Sequence, residues 1–148
     1  MIPLWYHYNR MKILNRKTDY AVRTLVRMAR APHADAKSSA ARLAAELSIP
    51  GPFLRRILQR LEKDGFVSSQ KGLKGGFALK KEPSKISVLD IINAFQGGIN
   101  LNDCFMASGL CSNAKSCPLH KRLKRINKNV SDELALIDIA SLAAGGSV

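Results

Sequence analysis

Cysteine, acidic residues and long apolar runs are all scarce in this sequence. The chain has 3 cysteines among 148 residues, and this odd number argues against a disulfide framework. No apolar run approaches the roughly 18 residues that span a bilayer, so no membrane partner is expected. The first ten residues lack both the basic start and the apolar stretch of a signal peptide. We therefore predict a cytoplasmic protein in which residues 1–10 are an extension ahead of a natural start at Met11.

The shortage of acidic residues leaves the chain strongly basic. Lys and Arg number 24 against 11 acidic residues, which gives a formal charge of +13. Such a balance favours a polyanionic partner, nucleic acid above all. The chain is 46% hydrophobic, more than a disordered basic tail contains, so a folded domain is expected. Because no nucleophile-base pair, paired carboxylates or phosphate-binding loop stands out, an enzyme is not predicted.

Periodicity in the first two thirds of the chain predicts three helices and a hairpin. The helices run from Thr18, as the capping residue, to about Arg30, from Ser39 to about Leu47, and from Pro52 to a cap at Gly65. Residues 66–70 and 77–80 then form two strands around a glycine-rich basic turn. The fold class is mainly α with a small β-hairpin wing, a winged helix-turn-helix DNA-binding domain over residues 11–98.

The third helix and the wing carry the predicted DNA contacts. A recognition helix enters the major groove by its first turns, while wing residues approach the backbone. The candidates for base edges are Pro52, Phe53, Arg55 and Arg56; those for the backbone are Arg60 on the helix and Lys71, Gly72 and Lys74 in the wing. The alternative is that these cations only form the solvated face of a basic protein.

The last third of the chain predicts a sensor loop and a dimer. Ser87 starts a fourth helix with Asp90 as its capping-box partner, and a cysteine loop occupies residues 99–117. Pro118 opens a long helix with a narrow apolar seam made of Leu119, Leu123, Ile126, Val130, Leu134 and Ile137. A seam of this kind suits a second helix, so residues 118–148 are predicted to be a homodimerisation helix and a tail that frays after Leu142.

Four potential metal ligands lie close together in and after the cysteine loop. Cys104, Cys111 and Cys117 are separated by six and five residues, and His120 follows after two more. Soft thiolates select iron-sulfur clusters, zinc or copper(I). The absence of paired C-x-x-C knuckles favours a cluster over structural zinc. Cysteines without metal, and a merely solvent-facing His120, stay open as alternatives, and Asp19 by itself suits the positive end of the first helix.

These residues resemble the Rrf-type family of bacterial transcription regulators, over nearly everything after Met11. The similarity lies in Thr18-Asp19-Tyr20-Ala21-Val22-Arg23, in the stretch from Ile49 to Leu58, in the wing from Lys71 to Phe77, and in the three cysteines before a long helix. The resemblance implies a homodimer that binds a palindromic operator, usually as a repressor, and carries a cluster on the three cysteines. Such a regulator senses redox state, nitric oxide or iron-sulfur status.

The resemblance offers two fourth ligands for the cluster. In one branch a histidine two residues past the last cysteine completes a 2Fe-2S site, and His120 matches it. In the nitric-oxide branch an aspartate of the partner subunit completes a 4Fe-4S site, and Asp19 is similar to it. Lys71 and Arg55 depart from the family pattern, so the operator sequence does not carry over, and the first cysteine gap is slightly long. A cluster-free regulator using a thiol switch or zinc, and a basic RNA-binding protein, are the alternative functions.

Overall fold

The computed structural model describes residues 13–31, 36–72, 75–99 and 116–145. Its elements follow one another in the predicted order, with one short helix added at the end. They are α1 (Arg16–Ala29), α2 (Ala40–Leu47), α3 (Gly51–Lys63), β1 (Val67–Gln70), β2 (Gly76–Leu79), a 3₁₀ turn (Pro83–Lys85), α4 (Val88–Gln96), α5 (Pro118–Leu136) and α6 (Ile139–Ala144). The predicted mainly helical chain with a small hairpin wing is confirmed.

One hydrophobic core joins the first three helices to the wing. The apolar stripe of α3 is fully covered, and the fully or almost fully buried residues of this helix are Leu54, Ile57, Leu58 and Leu61. Leu25 of α1 and Leu43 of α2 face them, with Phe66 and Val67 at the start of the wing. Because the helices bury their stripes against one another, their cationic faces are left on the outside.

The first helix starts earlier than predicted, and Thr18 is not its cap. Asn15 caps α1, since its side-chain oxygen accepts the Thr18 backbone N–H at 2.9 Å. Thr18 is completely buried, and its hydroxyl oxygen lies 2.8 Å from Oε1 of Gln96 at the end of α4. Gln96 also donates to the Ile13 carbonyl at 2.9 Å. These bonds lock the start of α1 to the end of α4.

The turn between α2 and α3 is tight, as the sequence predicted. Ser48 adopts the left-handed conformation with φ of 52°, and Ile49 is buried behind it. Pro50 is the N-cap, so α3 begins at Gly51 and Pro52 occupies the second helical position rather than the first. Gly65, with φ of 77°, lies just past the cap and lets the chain turn into the wing.

The wing is an antiparallel pair in which Val67 lies opposite Leu79 and Gln70 opposite Gly76. Ser38 adds a bridge on the outer edge of β2, because it exchanges two backbone hydrogen bonds of 2.9 Å with Phe77. The glutamate Glu62 of α3 accepts hydrogen bonds from the backbone and hydroxyl of Ser69. The wing is therefore fixed both to α3 and to the segment before α2.

A salt-bridge network links α1 to α2. Glu46 accepts from Arg27 at 2.8 Å and from Arg42 at 2.9 Å. The hydrogen bond from Arg42 is the main cause that lowers the pKa of Glu46 below its ordinary value; burial opposes it, and the hydrogen bond from Arg27 adds to the lowering. The negative charge of Glu46 is thus retained at neutral pH, and it neutralises part of the basic surface of these two helices.

The predicted capping box of α4 is confirmed. Ser87 accepts from the Asp90 backbone N–H at 3.1 Å, and the Asp90 carboxylate accepts the Ser87 backbone N–H at 2.9 Å. Val88, Ile91 and Ile92 are buried on the inner face of this helix. The 9-residue α4 therefore starts at a defined residue and packs against both α1 and α5.

The end of the chain differs from the prediction. The long helix stops at Leu136, so the predicted seam residue Ile137 lies beyond it, and a short helix α6 follows. Ile139 is completely buried, and Leu142 packs against the same core. The helix continues to Ala144, so the expectation of a frayed tail after Leu142 is wrong for the described residues. No helix in the described part of the chain is long and apolar enough to cross a membrane.

Candidate nucleic-acid interface and cysteine segment

The outermost ridge of α3 is polar and basic. Helical spacing places four residues along the line opposite the buried stripe, and all four are exposed: Pro52, Arg56, Gln59 and Lys63. Arg55 is also exposed and lies on the flank of this ridge. Two arginines in the first two turns therefore stand where a recognition helix presents side chains to base edges. Gln59 was not among the predicted contacts, although amide side chains pair well with adenine.

Phe53 and Arg60 have partners within the protein. The Phe53 ring packs edge to face on Tyr20 of α1, with ring centroids 5.4 Å apart. Arg60 donates to Asp64 at 2.7 Å and to the backbone carbonyl of Ala94 in α4, also at 2.7 Å. Phe53 is half-buried, whereas the Arg60 side chain is 50% exposed. Both residues therefore hold α3 against its neighbours, and the charge of Arg60 still reaches the surface.

The wing presents a cationic turn next to α3. Lys71 and Gly72 are exposed, and Gly72 has φ of 108°, which favours glycine. A side chain on Gly75 would collide with the backbone of the turn, at Gln70 and at the Gly72 carbonyl. The turn is thus closed tightly by its glycines. Lys74, the other predicted wing contact, lies outside the described residues.

The described part of the cysteine site lies at the start of α5. Cys117 is the N-cap of this helix and His120 is its third residue, so the two follow one another around a single turn, and both are half-buried. Cys104 and Cys111 lie outside the described residues, as does the loop that carries them. Within the described ranges, no three His, Cys, Asp or Glu side chains come together as a metal site.

The electrostatic surroundings of Cys117 are positive. The amino end of a 19-residue helix lies at this residue, and the first three turns of α5 carry five cations: Lys121, Arg122, Lys124, Arg125 and Lys128. Lys128 is paired with Asp132 at 2.6 Å. Because helix amino ends and nearby cations favour negative charge, this end of α5 is suited to an anionic group.

Asp19 belongs to a different element from these two donors. It lies in the first turn of α1, half-buried, next to the buried Thr18. Its carboxylate is favoured there by the amino end of α1. The structure thus brings Cys117 and His120 together on one turn and places Asp19 on α1, which packs against α2, α3 and α4.

The segment between α4 and α5 is held at its entry. Asn127 in the middle of α5 donates to the carbonyl of Ile99 at 2.9 Å, three residues after α4 ends. Gln96, which no sequence pattern singled out, joins the same region to α1. The cysteine segment therefore begins just after residues that are hydrogen-bonded to α1, through Gln96, and to α5, through Ile99.

Comparisons with known proteins agree with this architecture. The Rrf2 family model, described as an iron-dependent transcriptional regulator, matches residues 14–145. A protein of Aquifex aeolicus named as an HTH-type transcriptional regulator is 36% identical over 86 residues, 57% of this chain. That match spans 60% of the Aquifex protein, less than two thirds of its length. The HTH-type transcriptional regulator IscR of Erwinia tasmaniensis is 28% identical over 129 residues, 87% of this chain and 77% of that protein.

A solved structure extends the agreement to the fold. CymR, the global cysteine regulator of B. subtilis, gives a TM-score of 0.74 at 23% identity and covers 93% of this chain and 100% of that one. At this identity the likeness concerns the fold, which is that of winged-helix regulators. Since the family model matches nearly the whole chain, the protein belongs to the Rrf2 family of transcriptional regulators.

Proposed function

We propose that this protein is a homodimeric transcriptional regulator that binds palindromic DNA and acts as a repressor. It senses redox state, nitric oxide or iron-sulfur status through a cysteine-ligated iron-sulfur cluster. The observation that carries DNA binding is the exposed ridge of α3, where Arg56 and Lys63 flank Gln59. Cations at both ends of a polar ridge suit a groove bordered by phosphates, and the amide between them suits a base edge.

The apolar side of α5 supports the homodimer. Leu119 is 58% exposed and Ile126 is 49% exposed, and both belong to the predicted seam. Leu123, Val130 and Leu134 continue it as half-buried residues. A second copy of α5 would cover this stripe, and the two-fold symmetry of such a dimer matches a palindrome whose half-sites lie about 34 Å apart.

The donor set supports the cluster. Cys117 and His120 on one turn, with Cys104 and Cys111 earlier in the chain, supply three thiolates and an imidazole, which fit an iron-sulfur cluster. When bound, the cluster supplies iron that reacts with oxidants and nitric oxide. Cys117 fixes one end of the cysteine segment to the amino end of α5. His120 is favoured over Asp19 as the fourth ligand because it shares that turn.

DNA binding is tested with an operator selected from a random duplex pool by the wild-type chain. We expect Arg56→Ala to weaken binding by about 5- to 150-fold and to relax preference at one or two base pairs, because a bidentate base contact contributes about 1–3 kcal/mol. Lys124→Ala on α5 is the matched control and retains wild-type affinity. Equal affinities for the two variants contradict the assignment of α3, and selection of structured RNA over any duplex favours the RNA-binding alternative.

The cluster is tested by anaerobic purification with iron and acid-labile sulfide counting. We expect stoichiometric iron and sulfide in the wild type and their loss in Cys104→Ala, Cys111→Ala and Cys117→Ala. His120→Ala and Asp19→Ala, compared side by side, assign the fourth ligand. Zinc without sulfide, or a thiol-dependent change without metal, favours the cluster-free alternatives. Unchanged operator affinity between holo-protein and the triple cysteine variant overturns sensing.

A further inference from the structure

A cleft lies on the flank of α3, where the start of α1 and the end of α4 meet it. Its volume is about 250 Å³. It is lined by Lys17, Phe53, Arg56, Ile57, Arg60 and Phe95. Three of these side chains are cationic and the other three are apolar. The cleft is therefore suited to a ligand with an anionic end and a carbon-rich body.

The cleft and the wing lie on opposite flanks of α3. Glu62, which binds Ser69 of the wing, and Arg60, which lines the cleft, are two positions apart and point about 200° from each other around the helix. Arg56 belongs both to the outer ridge and to the cleft. A helix lying in the major groove has a sugar-phosphate strand on each side. With α3 in such a groove, a wing that approaches one of these strands leaves the cleft on the side of the other.

The cationic rim is held in position by contacts inside the protein. Arg60 is fixed by Asp64 and by the Ala94 carbonyl, both at 2.7 Å. Lys17 lies in the first turn of α1, which Gln96 locks to α4, so the backbone that carries this exposed lysine is fixed. The Arg60 side chain, which is itself anchored, loses less conformational freedom on binding than a free surface cation, so its charge contributes more to affinity.

We propose that this cleft binds one sugar-phosphate unit of the DNA backbone, on the strand away from the wing. Lys17 and Arg60 pair with the phosphate, while Arg56 reaches the base edges from the ridge above it, and the deoxyribose carbons pack on Phe53 and Phe95. The backbone unit has the required chemistry, because it joins an anionic phosphodiester to an apolar sugar face. The contact carries no base information. It rests on the proposed DNA binding and adds Lys17, which the sequence pattern did not assign to DNA.

Lys17→Gln is the test, measured by salt titration of binding to the selected operator and to a random duplex. The logarithm of the affinity falls as the logarithm of the salt concentration rises, and loss of one phosphate contact makes this fall less steep by about 0.9. That change corresponds to about eightfold weaker binding at 0.1 M salt. The loss is equal for both duplexes because the contact ignores sequence. Lys17→Arg restores the slope, and Lys124→Gln, an exposed lysine on α5, changes neither quantity.

The outcomes separate this inference from the proposed function. A Lys17→Gln protein with wild-type slope and affinity overturns the cleft assignment, provided that wild type binds duplex and Arg56→Ala weakens it. If the wild-type chain binds no duplex, the proposed DNA-binding function itself is wrong. A loss confined to the selected operator also overturns the inference, since it assigns Lys17 to base recognition. Circular dichroism melting of each variant shows that the fold is retained.

Discussion

Replacing Thr18 by valine tests the lock between α1 and α4. Valine has nearly the same shape as threonine, but it removes the hydroxyl that lies 2.8 Å from Oε1 of Gln96. In the variant, Oε1 of Gln96 still accepts one hydrogen bond, from the backbone N–H of Asn15 at 3.2 Å. Losing one partner of a part-buried acceptor costs about 1–3 kcal/mol. Because one donor remains, we expect the free energy of unfolding to fall by about 1.5 kcal/mol.

Thr24→Val is the matched control for this substitution. Thr24 is also completely buried, but its hydroxyl donates at 2.6 Å to the Tyr20 carbonyl within α1, and no other element loses a contact. Its loss costs about 0.5 kcal/mol or less, because such a bond adds little to a carbonyl already bonded in the helix. Urea denaturation with unchanged m-values measures both variants. A difference below about 0.3 kcal/mol, or no coupling between Thr18→Val and Gln96→Ala in a double-mutant cycle, refutes the lock.

Two further predictions concern the dimer and the wing. Leu119→Glu places a charge on the apolar stripe of α5, so we expect a monomer when its mass is measured by size-exclusion chromatography with light scattering. Leu136→Glu is the control and leaves the dimer intact, because Leu136 is 77% exposed but lies off the stripe. Equal masses for the two variants contradict dimerisation through the seam. Gly75→Ala forces the wing turn open, since its Cβ would lie 2.8 Å from the Gly72 carbonyl oxygen, and is expected to weaken binding to all duplexes by about tenfold, the equivalent of one lost backbone contact. Wild-type affinity in that variant, measured by fluorescence anisotropy, contradicts a backbone role for the wing.

Local chemistry made much of the fold predictable. Ser87 and Asp90 form a capping box three residues apart, so the start of α4 follows from sequence alone. The 3.6-residue period of α3 likewise identifies which arginines face outward. Asn15 and Thr18 are both good capping residues, and only the tertiary bond to Gln96 decides between them. Sequence spacing contains no record of that bond.

The parts that sequence did not predict depend on long-range packing. The 6-residue helix α6 is too short to show a period, and it forms because Ile139 is buried beside Ile86. Arg60 and the Ala94 carbonyl are 34 positions apart, so no local pattern indicates that this arginine holds α4. The packing of Phe53 on Tyr20 is equally non-local. For these reasons the ridge of α3 was predictable and the cleft beside it was not.

The attachment of α5 makes this helix a lever. Its carboxyl end is fixed to the DNA-binding body, because the Val88 N–H donates to the Ile137 carbonyl at 2.8 Å and the Ile139 N–H to the Ile86 carbonyl at 2.9 Å. Cys117 lies at the other end, and 19 residues of helix span roughly 28 Å. A shift of about 2 Å at Cys117 therefore turns α5 by about 4° around its carboxyl end, and this rotation also carries Asn127 and the Ile99 carbonyl bonded to it. In the proposed dimer joined through α5, that small rotation would change the separation of the two recognition helices, and a short movement at the cysteines would then reach both proposed half-sites at once.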